Sequence, residues 1–419
     1  NDGISGFYAW GAHVHRSDLG GMVNNPAQST GFETYVPTTS AAVYLPRVGH
    51  HIYNGSAWIN EGVLHESEAR TNLLTYSEDF TSWSTVASTL TNTGSTAPDG
   101  STSWRLTDNG QTFIHGAHLE NAFTVSGGFT TWSVMCRAGT ARYVAFAPKN
   151  SPIVSGVKVS VIFDLQTGVF TDTSNGPNAA YIDGYGSENL GGGWYRIYLK
   201  SDLANTGYDN IGVFISTDGL YANLSYTGTG EYIDFALAQI EAGATPSSYI
   251  PTSGSTVTRA AETLTVPAAN LPYDSTNMSI QIDGKITYAD TSNNFQMMWW
   301  EWKLSSSDNM KIHLSTSGGS TGLPTFTQKR SVTDNPIGVP NNVYSPGIDV
   351  PFNLASRHGS TFINGATEGT SYTVNTTPTS LPDLSATDLT LGTIFMGTIG
   401  KFRMWSEDLT DTGIEEAST

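Results

Sequence analysis

A passage near the N-terminus recurs in the middle of the chain, and this repeat constrains the possible fold more than any other feature. The first copy reads FYAWGAHV at residues 7–14 and YVPTT at 35–39, and the second reads IDFALAQI at 233–240 and YIPTS at 249–253. Each copy predicts the closing strand of a module and its exit linker. Because a long strand-like stretch precedes only the second copy, we expect the chain to begin inside the last strand of an earlier module.

Short alternating runs separated by Gly, Pro, Asn and Asp fill the remaining sequence. They predict strands at 132–136, 143–147, 157–165, 194–199, 211–216 and 232–240, and then at 278–286, 295–304, 310–315, 351–357, 360–363, 388–391 and 398–405. Asn54-Gly55 and Asn364-Gly365 predict hairpin turns, and residues 411–417 predict one short terminal helix with Asp411 as its cap. With no sustained period near 3.6 residues, the chain is predicted to be all-β, with tandem β-sandwiches and almost no helix.

The length of 419 residues exceeds the usual size of one domain. We expect four segments along it. Residues 1–47 hold the closing strands and exit linker of a preceding module, and 48–70 form a connector hairpin. Residues 71–253 form a jelly roll and 254–419 a second, concanavalin A-like sandwich.

The charge balance limits the partners. The 19 Lys and Arg against 37 Asp and Glu leave a formal charge of −18, and no basic cluster interrupts this acidic composition. Phosphate backbones and anionic membrane surfaces would be repelled, which leaves polar ligands such as glycans. No apolar run approaches the length of a transmembrane helix, so membrane insertion is not expected. The one cysteine, Cys136, lies in an alternating run and is predicted to be a small buried hydrophobe.

Two end motifs of the middle region carry a family resemblance. Residues 68–80, EARTNLLTYSEDF, lead to Trp83, and YIPT stands at 249–252. Together they resemble the opening and closing segments of carbohydrate-binding-module-like jelly rolls in tailed-bacteriophage virion proteins, over about residues 68–258. The resemblance implies a jelly roll in a tail fibre, tailspike, head fibre or related gene-transfer particle.

The C-terminal region is similar to another family of sandwiches found in the same phage proteins. PFNLASR at 351–357, FING at 362–365 and FMGTIGKFRMW at 395–405 resemble concanavalin A-like lectin/laminin-G domains. This implies glycan binding or a structural cap. The fold also hosts hydrolases, lyases and inert spacers, so it does not define an activity.

The densest aromatic run is FQMMWWEW at 295–302. Regular strand alternation would place Trp299 and Glu301 on one face, and Trp300 and Trp302 on the other. Sugar C–H faces stack on indole rings, and a carboxylate accepts hydroxyl hydrogen bonds. The functional hypothesis is therefore a glycan platform of Trp300 and Trp302, or of Trp299 with Glu301. The structural alternative is an inner strand covered on both faces, or one covered by a neighbouring subunit.

A second aromatic strand, WYRIYL at 194–199, lies in the jelly roll. Alternation places Trp194, Arg196 and Tyr198 on one face, opposite Tyr195, Ile197 and Leu199. Trp194 and Tyr198 are glycan-binding candidates if that face is concave. The structural alternative is that these rings fill the core.

The jelly-roll resemblance also implies a structural Ca²⁺ that joins the first and last strands. Glu78, Asp79 and Asp234 are the candidate ligands, with turn-capping surface carboxylates as the alternative. The sequence shows no nucleophile elbow, phosphate loop or dinucleotide fingerprint. We therefore assign no catalytic residue.

These observations lead to a functional hypothesis that relies on the resemblance. The protein is expected to be a non-enzymatic fibre or spike element on the virion surface of a tailed phage, where it binds host-surface polysaccharide. Its other partners are virion proteins and further copies of itself, most often in a trimer. The alternatives are a polysaccharide depolymerase and an inert spacer or decoration module.

Overall fold

The computed structural model describes residues 47–119, 129–148, 161–173, 182–202, 211–287, 296–315, 323–331, 333–338 and 349–419. Its strands are β1 (Arg47–Tyr53), β2 (Trp58–Glu66), β3 (Arg70–Asn72), β4 (Ser84–Val86), β5 (Ser88–Thr91), β6 (Trp104–Asp108), β7 (Thr112–Ile114), β8 (Gly116–Leu119), β9 (Phe129–Ala138), β10 (Tyr143–Pro148), β11 (Val161–Asp164), β12 (Val169–Asp172), β13 (Gly184–Gly191), β14 (Trp194–Asp202), β15 (Ile211–Ser216), β16 (Ser225–Thr227), β17 (Tyr232–Ala242), β18 (Val257–Arg259), β19 (Leu264–Val266), β20 (Asn277–Ile286), β21 (Gln296–Lys303), β22 (Asn309–Ser315), β23 (Leu323–Arg330), β24 (Thr333–Gly338), β25 (Pro351–Gly359), β26 (Ile363–Thr367), β27 (Thr370–Ser371), β28 (Leu389–Thr393) and β29 (Met396–Trp405). Within those ranges the one α-helix is α1 (Thr410–Ala417). The predicted all-β fold is confirmed.

The chain forms two compact units. The N-terminal sandwich comprises the described parts of residues 52–59 and 69–261, and the C-terminal sandwich comprises those of 47–51, 60–68 and 262–419. The predicted closing strands at 1–46 lie outside the described residues.

Two six-stranded sheets form the N-terminal sandwich, in the orders β12-β11-β10-β15-β8-β4 and β13-β14-β9-β17-β6-β5. Their facing sides enclose an aromatic core in which the rings of Trp132 and Phe146 stack with centroids 3.6 Å apart. Cys136 is fully buried in this core, as predicted, and burial raises the pKa of its thiol. Apolar burial of this kind is the main contribution to the stability of a sandwich.

The C-terminal sandwich pairs a seven-stranded sheet, β1-β2-β29-β20-β25-β26-β27, with a six-stranded one, β19-β28-β21-β22-β23-β24. The hairpin predicted at Asn54-Gly55 is confirmed, because the Asn54 N–H donates to the Ala57 carbonyl (3.1 Å) and β1 and β2 are neighbours in one sheet. The hairpin is more than a connector. Strand β2 pairs with β29 from Val63 opposite Ile399 onward, so this segment supplies the edge of the sheet.

Two local predictions in the C-terminal sandwich are wrong. Asn364-Gly365 is not a turn but lies inside β26, where a Cβ on Gly365 would be 2.4 Å from the Phe326 ring. The glycine therefore makes room for packing. Asp411 is not the helix cap. It lies in the first turn of α1, and its carboxylate accepts hydrogen bonds from Arg357 (2.7 Å) and Asn364 (2.9 Å).

Candidate functional site

The tryptophan-rich strand β21 does not alternate regularly. Its pairing with β22 shifts register between Met298 and Trp300, which marks a β-bulge. The extra residue changes the phase of the strand, so Met297, Trp299, Trp300 and Trp302 all join the same buried cluster. A bulge of this kind cannot be read from a hydrophobic pattern, and it invalidates the predicted division into two faces.

The three indole rings of β21 are core side chains, which corrects the expectation of a glycan platform. Trp299, Trp300 and Trp302 are each 0% exposed. The Trp302 Nε1–H donates to the Thr387 carbonyl (2.7 Å). Glu301 lies near Lys303, with 3.5 Å between the charged atoms, at the partly exposed side of the strand. No ring face remains there for a sugar.

The three predicted calcium ligands each have another role. Asp234 accepts hydrogen bonds from Arg105 Nε (2.9 Å) and from the N–H and hydroxyl of Ser95 (3.0 and 2.9 Å). Glu78 accepts one from the Tyr249 hydroxyl (3.0 Å), and Asp79 accepts one from the Thr81 N–H (2.9 Å). Each carboxylate therefore already has a protein donor, and the calcium site stays a prediction. Across the described ranges, no three His, Cys, Asp or Glu side chains come close enough together to hold a metal ion.

Strand β14 alternates as predicted. Ile197 and Leu199 lie in the main core, whereas Trp194 belongs to a smaller apolar cluster on the opposite face of the sheet. Tyr198 is half-buried on that same outer face. Its phenol lies across β13, where a Cβ on Gly186 would be 2.2 Å from the hydroxyl. Both candidate residues of this strand therefore lie outside the main core.

A cleft of about 540 Å³ opens at the start of β14. Its lining residues share an apolar or backbone character, and they are Tyr53, Trp58, Pro98, Leu190, Gly191, Gly192 and Trp194. Trp58 is 56% exposed, the highest value of any aromatic ring in the described residues. Its ring lies 5.4 Å from that of Tyr53, centroid to centroid, at an angle of 53°. Two tilted rings thus form one wall.

A glycine turn forms the floor of the cleft. Gly191, Gly192 and Gly193 adopt φ values of +75°, +60° and +82°, a left-handed conformation that other residues enter at a cost. The Asn189 Oδ1 accepts a hydrogen bond from the Gly191 N–H (2.9 Å) and holds the start of the turn. A Cβ on Gly191 would lie 3.1 Å from the Trp58 ring, so the absent side chain lets the indole approach the backbone.

Trp194 closes the inner end of the cleft. It is 4% exposed, and its Nε1–H donates to the Thr96 carbonyl (3.0 Å). The hydrogen bond fixes the indole plane while one edge still lines the cavity. The arrangement combines one exposed ring, one half-buried ring, one fixed ring and an open backbone turn, with no charged lining residue. Such a cleft suits an uncharged ring that has one apolar face and polar edges.

Sequence reasoning selected Trp194 but missed Tyr53 and Trp58. Both missed residues flank the Asn54-Gly55 turn, and rings at a hairpin tip have few neighbours to bury them. That position was the signal that could have identified them.

No helix in the described part of the chain is long and apolar enough to cross a membrane.

No family model and no curated protein matches the chain. Among solved structures it is similar to the CBM40 domain of the Ruminococcus gnavus IT-sialidase, at 12% identity over 38% of this chain and 97% of that chain, with a TM-score of 0.29. It is also similar to CG-16, a homodimeric agglutinin from chicken liver (9% identity, 34% and 100% coverage, TM-score 0.24). The mouse laminin α1 domains LG4-5 give 8% identity, 72% and 88% coverage and a TM-score of 0.24. Similarities this distant transfer neither a residue nor a ligand to this chain.

Proposed function

We propose that this protein binds carbohydrate, without catalysis, in the cleft of its N-terminal sandwich. We further propose that it does so as a fibre or spike element on the virion surface of a tailed phage, where the ligand is host-surface polysaccharide. The cleft supports the first statement. The phage-like motifs at 68–83, 249–252 and 395–405 support the second.

The pair of Trp58, which is exposed, and Tyr53, which is half-buried, is the observation that carries the binding proposal. Trp58 leaves 56% of its surface in water, although burying an indole is strongly favourable. Stacking of a sugar C–H face on this ring removes apolar surface from water on both sides. The open glycine turn beside it offers backbone groups to sugar hydroxyls, and the acidic chain does not repel a neutral ring.

Display of several copies on one virion would compensate for weak binding by a single cleft. A single shallow cleft gives weak binding, whereas several copies on one particle multiply the apparent affinity without any new contact. We propose that the protein forms a homo-oligomer, with a trimer favoured, and that other virion proteins hold it in the particle. Mass spectrometry and antibody labelling of purified particles test this part. Absence of the protein from infectious particles would contradict it.

Binding is tested on an array of bacterial surface polysaccharides with wild-type protein and Trp58→Ala. We expect Trp58→Ala to weaken binding at least tenfold, because it removes most of the exposed stacking surface. Tyr76→Ala is the matched control, since Tyr76 is also an exposed ring (45%) and does not line the cleft. Equal binding by wild type and Trp58→Ala would reject the cleft, and no binding to any glycan would favour an inert spacer.

The non-catalytic part needs its own measurement. Each polysaccharide that binds is incubated with wild-type protein, and new reducing ends and unsaturated uronates are measured over time. We expect neither to accumulate. Sustained turnover would identify the protein as a depolymerase instead.

A further inference from the structure

Arg137 lies beside the cleft on the neighbouring strand. It belongs to β9, directly opposite Trp194 on β14, and directly opposed residues of an antiparallel pair project from the same face. A Cβ on Gly193 would lie 3.6 Å from the Arg137 Nε and 3.8 Å from its Cγ. The arginine side chain therefore runs along the same glycine turn that forms the cleft floor.

The carboxylate nearest to Arg137 along the sheet is bonded to other donors, so the Arg137 guanidinium is available to bind a ligand. Asp234 is directly opposite on β17, but its two carboxylate oxygens already accept hydrogen bonds from Arg105 and Ser95. Among the residues that the structure describes, Arg137 takes part in no ion pair. Arg137 as a whole is half-buried, and an arginine has five N–H donors in a rigid fork that can bind a ligand.

Building on the proposed function, we propose that Arg137 makes the cleft selective for acidic saccharides. The ligand is a polysaccharide that bears a carboxylate on a sugar ring, such as a uronate. Its ring packs on Trp58 and Tyr53, and its carboxylate accepts hydrogen bonds from the Arg137 guanidinium. The planar fork of arginine matches a carboxylate with two parallel hydrogen bonds.

The electrostatics of the whole chain favour one carboxylate over more highly charged groups. A formal charge of −18 repels any anion at long range, and the repulsion grows with ligand charge. Among anionic sugars, one that carries a single carboxylate is repelled less than one that carries more charge, and it gains a charge-assisted hydrogen bond at short range. The cleft lining itself has no charge, so Arg137 alone supplies this discrimination in the described part of the site.

Matched polymers test the proposal. Alginate, hyaluronan and polygalacturonate are each used before and after chemical reduction of their carboxyl groups, which preserves the glycan chain and removes the charge. We expect wild-type protein to bind at least one acidic polymer about tenfold more tightly than its reduced form.

Variants assign the effect to the side chain. Arg137→Gln is expected to lose the tenfold preference while its binding to the reduced polymer stays within twofold of wild type. Lys401→Gln is the matched control, because it makes the same change in net charge at a side chain 59% exposed in the C-terminal sandwich. It is expected to bind as wild type does. Near-ultraviolet circular dichroism checks that each variant is folded.

The outcomes separate this inference from the proposed function. If wild type binds acidic and reduced polymers equally, and Trp58→Ala loses both, acid selectivity is overturned while carbohydrate binding stands. If Arg137→Gln keeps the preference for acid, the assignment to Arg137 is overturned. If neither form of any polymer binds, and the polysaccharide array is also negative, both proposals fail together.

Discussion

Tryptophan has different roles in the core of the C-terminal sandwich and in the cleft of the N-terminal one. In the C-terminal sandwich, three neighbouring indoles of β21 are fully buried. In the N-terminal sandwich, Trp58 is 56% exposed, and Trp194 is buried except for the edge that lines the cleft. The same residue type fills a core at β21 and builds a cavity wall at the cleft.

The difference comes from backbone position and not from aromatic density. Strand β21 lies inside its sheet, with β28 and β22 on either side, and its bulge turns an additional ring inward. Tyr53 and Trp58 flank a hairpin turn, and Trp58 is 56% exposed there. A dense aromatic run therefore marks packing here, and a sparse pair at a turn marks the candidate binding site.

The largest expected effect is on the buried side of this comparison. Trp300→Ala removes a fully buried indole that packs edge-on against His358, with ring centroids 5.9 Å apart. We expect the free energy of unfolding of the C-terminal sandwich to fall by about 3–5 kcal/mol, because the cavity is too large to close. Denaturant titration measures the change.

Glu301→Ala is the control on the same strand. Its carboxylate is partly exposed and pairs with Lys303 at 3.5 Å, so we expect a loss of less than about 1 kcal/mol. A fully stable Trp300→Ala that had instead lost glycan binding would reverse the comparison, since the ring would then act as a ligand contact.

The next prediction concerns the pH dependence of the stability of the C-terminal sandwich, to which the carboxylate of Glu262 contributes. Burial raises the pKa of Glu262, but contacts with His65 and Arg47 outweigh it and hold the pKa at about 2 instead of 4.5. Because the folded pKa is the lower one, this carboxylate stabilises the fold above about pH 4.5. The stabilisation is lost as the pH falls toward 2. Allowing for partial exposure, the expected loss is about 2 kcal/mol.

Chemical denaturation from pH 6 to pH 2 compares wild type with Glu262→Gln. The variant is expected to be less stable at pH 6 and to show a shallower decline, because its amide cannot titrate. Parallel curves for the two proteins would show that Glu262 has its ordinary pKa and that the Arg47 cluster does not stabilise the sandwich.

Alanine substitutions at two glycines, one in the C-terminal core and one in the cleft, are expected to cause smaller losses of stability. Gly365→Ala places a methyl group 2.4 Å from the Phe326 ring inside the C-terminal core, so we expect a loss of about 1–3 kcal/mol from overpacking. A Cβ on Gly192 would meet no atom within 4 Å. We therefore expect Gly192→Ala to destabilise the sandwich only through the strain of its left-handed backbone, by about 1 kcal/mol. Thermal and denaturant unfolding measure both. A larger loss for Gly192→Ala would mean that the turn is packed and not open.

Much of the fold could be predicted because it depends on local patterns. Period-two alternation identified β9, β10, β14, β15 and β17, and the Asn54-Gly55 signal identified the first hairpin. Asn364-Gly365 carried the same signal but lies in a strand, because the Phe326 ring requires a glycine there. Contacts between residues distant in sequence overrode the turn preference in the second case, and only the structure reveals them.

The candidate site was predictable only in part for the same reason. Trp194 was identified because it alternates with core residues on its own strand. Tyr53 and Trp58 come together with Gly191 across more than 130 residues of sequence, and no local pattern encodes that approach. The partners of Asp234, one of the predicted calcium ligands, were likewise not readable, because Arg105 and Ser95 reach it from other segments.

The smallest expected change in stability belongs to the residue with the largest expected effect on binding. Trp58→Ala removes a ring that is already 56% exposed and loses mainly its tilted contact with Tyr53. We expect the free energy of unfolding to change by about 0.5 kcal/mol, while carbohydrate binding falls at least tenfold. Denaturant titration and the polysaccharide array on one preparation measure both quantities. A loss of several kcal/mol would place Trp58 among the core residues, and its effect on binding would then follow from unfolding and not from contact with a sugar.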